Sequence, residues 1–255
     1  MKSLLIETCC TSYEDAIESE QASITRIELN SALALGGLTP SISLLKQIKR
    51  NTSLKVMAML RPREGGMCYS NSEFQVMLED LDILLEAGTD GIVTGVLCED
   101  GSIDFRRTEI LRKKIGSKEA VFHRAFDLTP DPYRALDQLI ALGFQRVLTS
   151  GQQADVIQGE RLLMELRDRA KGAITILPGG GLRANNVIPF LRRTSFDEIH
   201  YTPRRNRKDH SSLSNLRIHF GLSGLSQDDI TGIVHGEKLN DTIRQYLCEE
   251  FQEVL

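Results

Sequence analysis

Two carboxylates lie at the ends of the first two predicted strands. Glu7 and Glu28 both fall on the alternate positions whose side chains point inward from a strand. Inward carboxylates are costly unless they are paired or coordinate a cation. Arg61 and Arg63, which follow the third predicted strand, carry guanidinium groups that match a carboxylate or a phosphate. Two interpretations remain open: a structural Glu–Arg network at the top of the fold, and a ligand-binding site.

A histidine lies near the end of the fifth predicted strand. His123 is followed by Arg124 and Asp127, so a titratable ring, a cation and a carboxylate share one short segment. Such a histidine serves as a general acid or base, or as a metal ligand, although a buried histidine can also be purely structural. Glu7, Glu28, His123 and Asp127 are therefore the candidates for acid–base catalysis.

Hydroxyl, amide and glycine residues follow the next two predicted strands. Ser150 and Gln152 end the sixth strand. The seventh runs into a glycine triplet and an arginine, namely Gly179, Gly180, Gly181 and Arg183. Consecutive glycines allow backbone N–H groups to converge on an anion, although a tight turn explains them equally well. The predicted ligand-binding set is Arg61, Arg63, Arg124, Ser150, Gln152, Gly179, Gly180, Gly181 and Arg183.

The cysteines give a separate signal for metal chemistry. The chain has five of them, without a C-x-x-C pair, which is typical of free thiols in a reducing compartment. Cys9 and Cys10 follow the first predicted strand, where soft thiolates would suit Cu(I). The alternative is that they are small buried apolar residues. No cysteine spacing matches a structural zinc site.

Eight short β-type runs alternate with helix-period segments, and this pattern predicts the elements that position these residues. The 255-residue length suits a single (β/α)₈ TIM barrel, in which the loops after the strands build the site. A doubly wound open sheet is disfavoured because no G-x-G-x-x-G follows the first strand. The predicted strands are 4–7, 26–29, 55–60, 91–94, 120–126, 146–150, 175–177 and 198–201.

The same pattern predicts one domain over residues 1–255, with an irregular loop region at 203–231 and a closing helix at 237–253. The formal net charge of −4 gives no reason to expect nucleic acid or a membrane surface as a partner. The apolar start is too short for a signal peptide, so we expect a cytoplasmic protein.

Several stretches together resemble the CutC family, named for copper homeostasis. The clearest are Leu5-Ile6-Glu7-Thr8-Cys9-Cys10, Gly36-Gly37-Leu38-Thr39-Pro40-Ser41, Arg61-Pro62-Arg63, Phe122-His123-Arg124-Ala125-Phe126-Asp127, Arg146-Val147-Leu148-Thr149-Ser150-Gly151-Gln152 and Gly179-Gly180-Gly181-Leu182-Arg183-Ala184-Asn185. The resemblance implies a (β/α)₈ barrel, a cytoplasmic location, a homodimer or larger homo-oligomer, and Cu(I) held by cysteines after strands one and two.

Only the first of those cysteine positions carries over, onto Cys9 with Cys10 beside it. Where this chain reads Glu28-Leu29-Asn30, the family commonly has cysteine as the third residue. Asparagine replaces it here, and an amide oxygen is a poor Cu(I) ligand. Three hypotheses follow. The first is a copper-binding, copper-homeostasis protein; the second is an enzyme that acts on a small anionic or phosphorylated metabolite; the third is a non-catalytic scaffold or regulator.

Overall fold

The computed structural model describes residues 4–208, 210, 211, 215 and 229–250. Eight parallel strands are hydrogen-bonded in the order β7-β6-β5-β4-β3-β2-β1-β8. A parallel bridge between Gly179 and His200 joins the two ends of this sheet into a barrel, as predicted. The strands are β1 Leu5–Cys10, β2 Arg26–Leu29, β3 Lys55–Met59, β4 Gly91–Thr94, β5 Glu119–Phe122, β6 Arg146–Thr149, β7 Thr175–Pro178 and β8 Glu198–His200.

Helices follow the strands and cover the outside of the barrel. Local sequence sets several of their ends: Ser12 and Ser70 each form a capping box with the acidic residue three positions later, and Gly143 ends a helix in the left-handed conformation. The helices are α1 Tyr13–Gln21, α2 Ile42–Asn51, α3 Asn71–Glu86, α4 Phe105–Ile115, α5 Pro132–Leu142, α6 Glu160–Ala170, α7 Val187–Thr194 and α8 Gly236–Glu250.

Two strand boundaries differ from the prediction in ways that affect the site. β1 continues to Cys10, so both adjacent cysteines are strand residues with side chains on opposite faces. β5 ends at Phe122, and residues Arg124–Leu128 form a 3₁₀ helix instead of more strand. The His123 side chain accepts a hydrogen bond from the Ala125 N–H, which caps this 3₁₀ helix and turns the chain out of the sheet.

The region predicted as an irregular loop is partly regular. Arg204–Lys208 (β9) and Asp229–Val234 (β10) pair as an antiparallel two-stranded sheet, which corrects the loop prediction for residues 203–231 at both ends. The basic residues of β9 were missed because they lack the apolar alternation of a strand. Helix α8 starts one residue before the predicted closing helix, and residues 251–253 of that prediction lie outside the described residues.

The barrel interior has an apolar middle and a charged floor. The middle is filled by Met57, Met59, Val93, Val121, Leu148 and Leu177. Below it, the Arg26 Nε lies 2.5 Å from Glu7 Oε2, and Arg26 also pairs with Glu198. Arg146 lies 2.5 Å from Glu119 and 3.8 Å from Glu7. Charged side chains from β1, β2, β5, β6 and β8 therefore neutralise one another at the amino-terminal end of the barrel.

We predict that Arg26→Met lowers the free energy of unfolding by about 3–5 kcal/mol, because it leaves the fully buried Glu7 carboxylate short of a partner. The matched control is Arg169→Met, which removes a solvent-exposed pair with Asp137 and should cost less than about 1 kcal/mol. Urea denaturation followed by circular dichroism measures both. Equal losses for the two variants would show that the buried floor network stabilises the fold no more than an exposed ion pair does.

Candidate functional site

A cavity of about 320 Å³ opens at the carboxyl ends of the barrel strands. This is the end at which the loops of a TIM barrel build their sites. Of the predicted site residues, those that line the cavity are Cys9, Glu28, Arg61, His123, Arg124, Gly179, Gly180, Gly181 and Arg183.

Three potential metal ligands meet on one wall of the cavity. Cys9 Sγ, a Glu28 carboxylate oxygen and a His200 ring nitrogen all lie within 4.8 Å of one another. Strand register explains the cluster, because Cys9 on β1 is paired with Glu28 on β2, and β8, which carries His200, lies on the other side of β1. Thiol, carboxylate and imidazole are all ligands that proteins use for transition metals.

Glu7 lies beneath this cluster and holds the histidine in place. Its Oε1 is 3.1 Å from His200 Nδ1, which leaves the opposite side of the ring to the cavity and Cys9. Burial would raise the pKa of Glu7, but the hydrogen bond to His200 and the charge of Arg26 outweigh it and lower the pKa to about 2. Glu7 is therefore an ionised anchor shared by the floor and the site.

The pKa of His200 moves in the opposite direction. Burial lowers it, but hydrogen bonds to Cys9 and Glu7, with the charges of Glu28 and Glu7, raise the pKa well above its usual value. Glu28 has a raised pKa as well, because its carboxyl group is buried and lies near the charge of Glu7. Because an imidazole must lose its proton to bind a metal, an ion held by this cluster displaces a proton from His200.

Asn30, at the position where the resemblance implies a second cysteine, contacts this cluster directly. Its Nδ2 donates to Glu28 Oε1 at 2.6 Å and lies 3.2 Å from Cys9 Sγ. A cysteine here would be next to Cys9, but in this chain the amide positions Glu28 instead. Cys10 does not join the cluster, because its thiol faces away from the barrel toward Thr8 and Ser19, and burial raises its pKa.

The two arginines after β3 do not pair with Glu7 or Glu28, which corrects the predicted partnership. Arg61 donates through its two terminal nitrogens to the backbone carbonyls of Leu35, Gly37 and Gly65. Arg63 pairs with Glu73 and lies outside the cavity lining. The arginine that pairs with Glu7 is Arg26, whose position inside β2 gave no sign of a functional role.

His123 lies on the cavity wall with one nitrogen occupied and one unoccupied. Nδ1 accepts the Ala125 N–H at 3.1 Å, and the buried Nε2 has no partner among the residues that the structure describes. Burial and the charge of Arg61 lower the pKa of His123 to about 4. The ring is therefore neutral near pH 7, and its proton is on Nε2.

Asp127, Ser150 and Gln152 form a support beside the cavity, and none of them lines it. Asp127 accepts hydrogen bonds from the Ser150 hydroxyl and the Gln152 N–H, and it pairs with Arg124 at 2.8 Å. Arg124 also donates to Ser150 Oγ at 2.7 Å. These contacts orient Arg124, which does reach the cavity.

The glycine turn after β7 is required by close packing inside the barrel. A Cβ added to Gly179 would lie 2.4 Å from a Leu148 methyl group and 2.9 Å from the His200 Cβ. A side chain here would therefore push His200 away from Cys9. Gly180 lies against the Arg124 guanidinium, and Arg183 follows at the rim of the cavity.

The prediction of site residues omitted two ionisable side chains that line the cavity, His200 and Arg204. His200 ends β8, and this position at a strand end is the sequence feature that could have identified it as a site residue. Arg204 begins β9, donates to the Cys9 carbonyl at 2.6 Å and lies 3.8 Å from Asp15. No local pattern marks Arg204, because its role depends on β9 folding back over the barrel mouth.

Fold and site together define a parallel (β/α)₈ barrel with a thiol, a carboxyl and an imidazole clustered at its carboxyl-terminal mouth. The CutC family model matches residues 4–205. The chain belongs to the CutC family.

Relatives and a solved structure agree with this membership. A CutC family protein of Treponema denticola is 48% identical over 244 residues, 96% of this chain and 99% of that protein. The copper homeostasis protein cutC homolog of Homo sapiens is 38% identical over 219 residues, 86% of this chain and 80% of that protein. The crystal structure of the Streptococcus agalactiae copper homeostasis protein CutC has a TM-score of 0.73 at 33% identity, covering 77% of this chain and 97% of that chain.

Within the described residues, no helix is long and apolar enough to cross a bilayer.

The low pKa of His123 predicts a pH-dependent loss of stability. The unfolded chain takes up a proton near pH 6.5 and the folded chain only near 4, so stability falls as pH decreases through this window. Between pH 7 and 5 this histidine should account for about 2 kcal/mol. Urea denaturation at both pH values should show native protein losing about 2 kcal/mol more than His123→Gln. Parallel losses would contradict a neutral buried His123.

Proposed function

We propose that this chain takes part in copper homeostasis by binding a copper ion at Cys9, Glu28 and His200 in the barrel mouth. The observation that carries the proposal is the convergence of these three ligand groups within 4.8 Å, on a chain of the CutC family. The bound ion would be cargo. The proposal includes a cytoplasmic location and a homodimer or larger homo-oligomer, which rest on the family resemblance.

The donor set favours modest affinity for Cu(I). Cu(I) prefers several soft sulfur ligands, and the cluster offers one thiol beside a carboxyl and an imidazole. Asn30 removes the second thiol that relatives commonly supply, and Cys10 is turned away on the outer face of β1. This harder set of donors is compatible with Cu(II) as well as Cu(I).

A second candidate function is an enzyme that acts on a small anionic metabolite in the same cavity. The observation that favours it is the number of cationic side chains at the mouth, where Arg61, Arg124, Arg183 and Arg204 all line the cavity. Binding of a copper ion alone gives no reason for this cationic rim, whereas an anionic ligand does.

The copper proposal predicts opposite effects for two substitutions. Cys9→Ser should abolish Cu(I) binding in the mouth, because it removes the single soft ligand. Asn30→Cys should strengthen binding by about tenfold or more, because it adds a second thiol beside Cys9, at about the position of the Asn30 Cγ whose Nδ2 lies 3.2 Å from Cys9 Sγ. Anaerobic competition against a Cu(I) chelator measures both affinities.

The matched control is Cys68→Ser, which removes an exposed cysteine that does not line the cavity and should leave the affinity unchanged. Circular dichroism on the same samples establishes that each variant is folded. If Cys9→Ser binds Cu(I) as tightly as the native chain, the assignment to this cluster is wrong.

A further inference from the structure

Three buried polar atoms on the cavity wall have no hydrogen-bond partner among the described residues. They are His123 Nε2, Arg61 Nε and Glu28 Oε2, and each belongs to a side chain that lines the cavity. Each of these side chains is at most 4% exposed. A buried polar atom without a partner costs free energy, and a bound molecule that contacts all three would remove this cost.

Two of the three atoms are hydrogen-bond donors. Because His123 Nδ1 accepts the Ala125 N–H, the proton of the neutral ring is on Nε2. Arg61 Nε always carries a proton, and the two terminal nitrogens of Arg61 are already held by backbone carbonyls. Both donors are therefore oriented before any ligand arrives.

The two donors belong to side chains that line the same cavity, and the packing around His123 is tight. A Cβ on Gly95 would lie 2.6 Å from the His123 Cε1, so the absence of a side chain at position 95 is what lets the ring occupy this place. A positive charge beside a neutral donor suits an anionic oxygen.

The third atom, Glu28 Oε2, requires a different hydrogen-bond partner from the other two. Glu28 Oε1 accepts from the Asn30 amide, which fixes the carboxyl group, and Oε2 has no partner among the described residues. A carboxyl oxygen keeps acceptor capacity in either protonation state, so it can accept a hydrogen bond from a hydroxyl group. A complementary ligand thus needs an anionic oxygen at one end and a hydroxyl at the other.

We propose that the mouth binds a small hydroxycarboxylate, whose carboxylate accepts from Arg61 Nε and His123 Nε2 and whose hydroxyl donates to Glu28 Oε2. The cavity volume of about 320 Å³ is at the small end of ligand pockets. This inference rests on the second candidate function and names its ligand class. It needs no metal, although Glu28 is shared with the proposed copper ligands.

The test uses full-length protein freed of metal by a chelator, with glycolate and D-glycerate as probes. Isothermal titration calorimetry should show both binding, with acetate weaker because it has no hydroxyl and glycerol not binding because it has no carboxylate. Inorganic phosphate serves as a further probe, to separate this ligand class from a general anion. Equal affinity for acetate and glycolate, or binding of phosphate in preference to both, would overturn the proposal.

Variants of His123 then test the donor. His123→Met should weaken glycolate binding by about tenfold or more, because it removes a donor to a charged acceptor. His123→Gln, which keeps an N–H near the position of Nε2, should recover most of the affinity. Gly95→Ala should also weaken binding, because its Cβ displaces the ring. The matched control is His235→Met, whose side chain is outside the cavity lining.

Two further readouts separate this proposal from the copper proposal. The His123 Nε2–H resonance in ¹H–¹⁵N spectra should move downfield on adding glycolate. Cys9→Ser should lose Cu(I) binding and keep glycolate binding. If glycolate binds equally to native protein and His123→Met, with both folded by circular dichroism, the proposed site is wrong whatever the copper data show.

Discussion

A buried carboxylate, Glu7, connects the two ends of the barrel interior. One of its oxygens pairs with Arg26 in the charged floor, and the other contacts His200 at the mouth. An ionised group at zero exposure is tolerated only because these partners replace its hydration. The same pairing that neutralises the floor therefore orients the imidazole that faces Cys9, and the geometry of the site depends on the stability of the network below it.

The cavity above Glu7 combines two kinds of chemistry. One wall presents a thiol, a carboxyl and an imidazole, which are typical metal ligands. Another presents two oriented donors, His123 Nε2 and Arg61 Nε, which are suited to an anionic oxygen. Glu28 is common to both walls. Under the two proposals, small-molecule binding and metal binding share Glu28, so each ligand should weaken the binding of the other.

Sequence patterns predicted the barrel and half of the residues that line its mouth, because parallel strands end at one rim and their last inward residues converge there. The pairing of charged groups was not predictable in the same way. Among the described residues Glu7 pairs with Arg26, and the Arg61 guanidinium is held by loop carbonyls instead. Asp127, Ser150 and Gln152 were correctly located at strand ends, yet their hydrogen bonds join them to one another beside the cavity.

The adjacent cysteines of β1 show which part of the site the sequence alone determines. The sequence by itself determines that Cys9 and Cys10 face opposite ways, since adjacent strand residues always do. Only the tertiary structure shows that β1 continues to Cys10, which puts Cys9 on the inward face opposite Glu28 while the Cys10 thiol contacts Ser19 of α1. His200 and Arg204 enter the site for the same reason, since barrel closure and the return of β9 bring them to Cys9 from nearly 200 residues away.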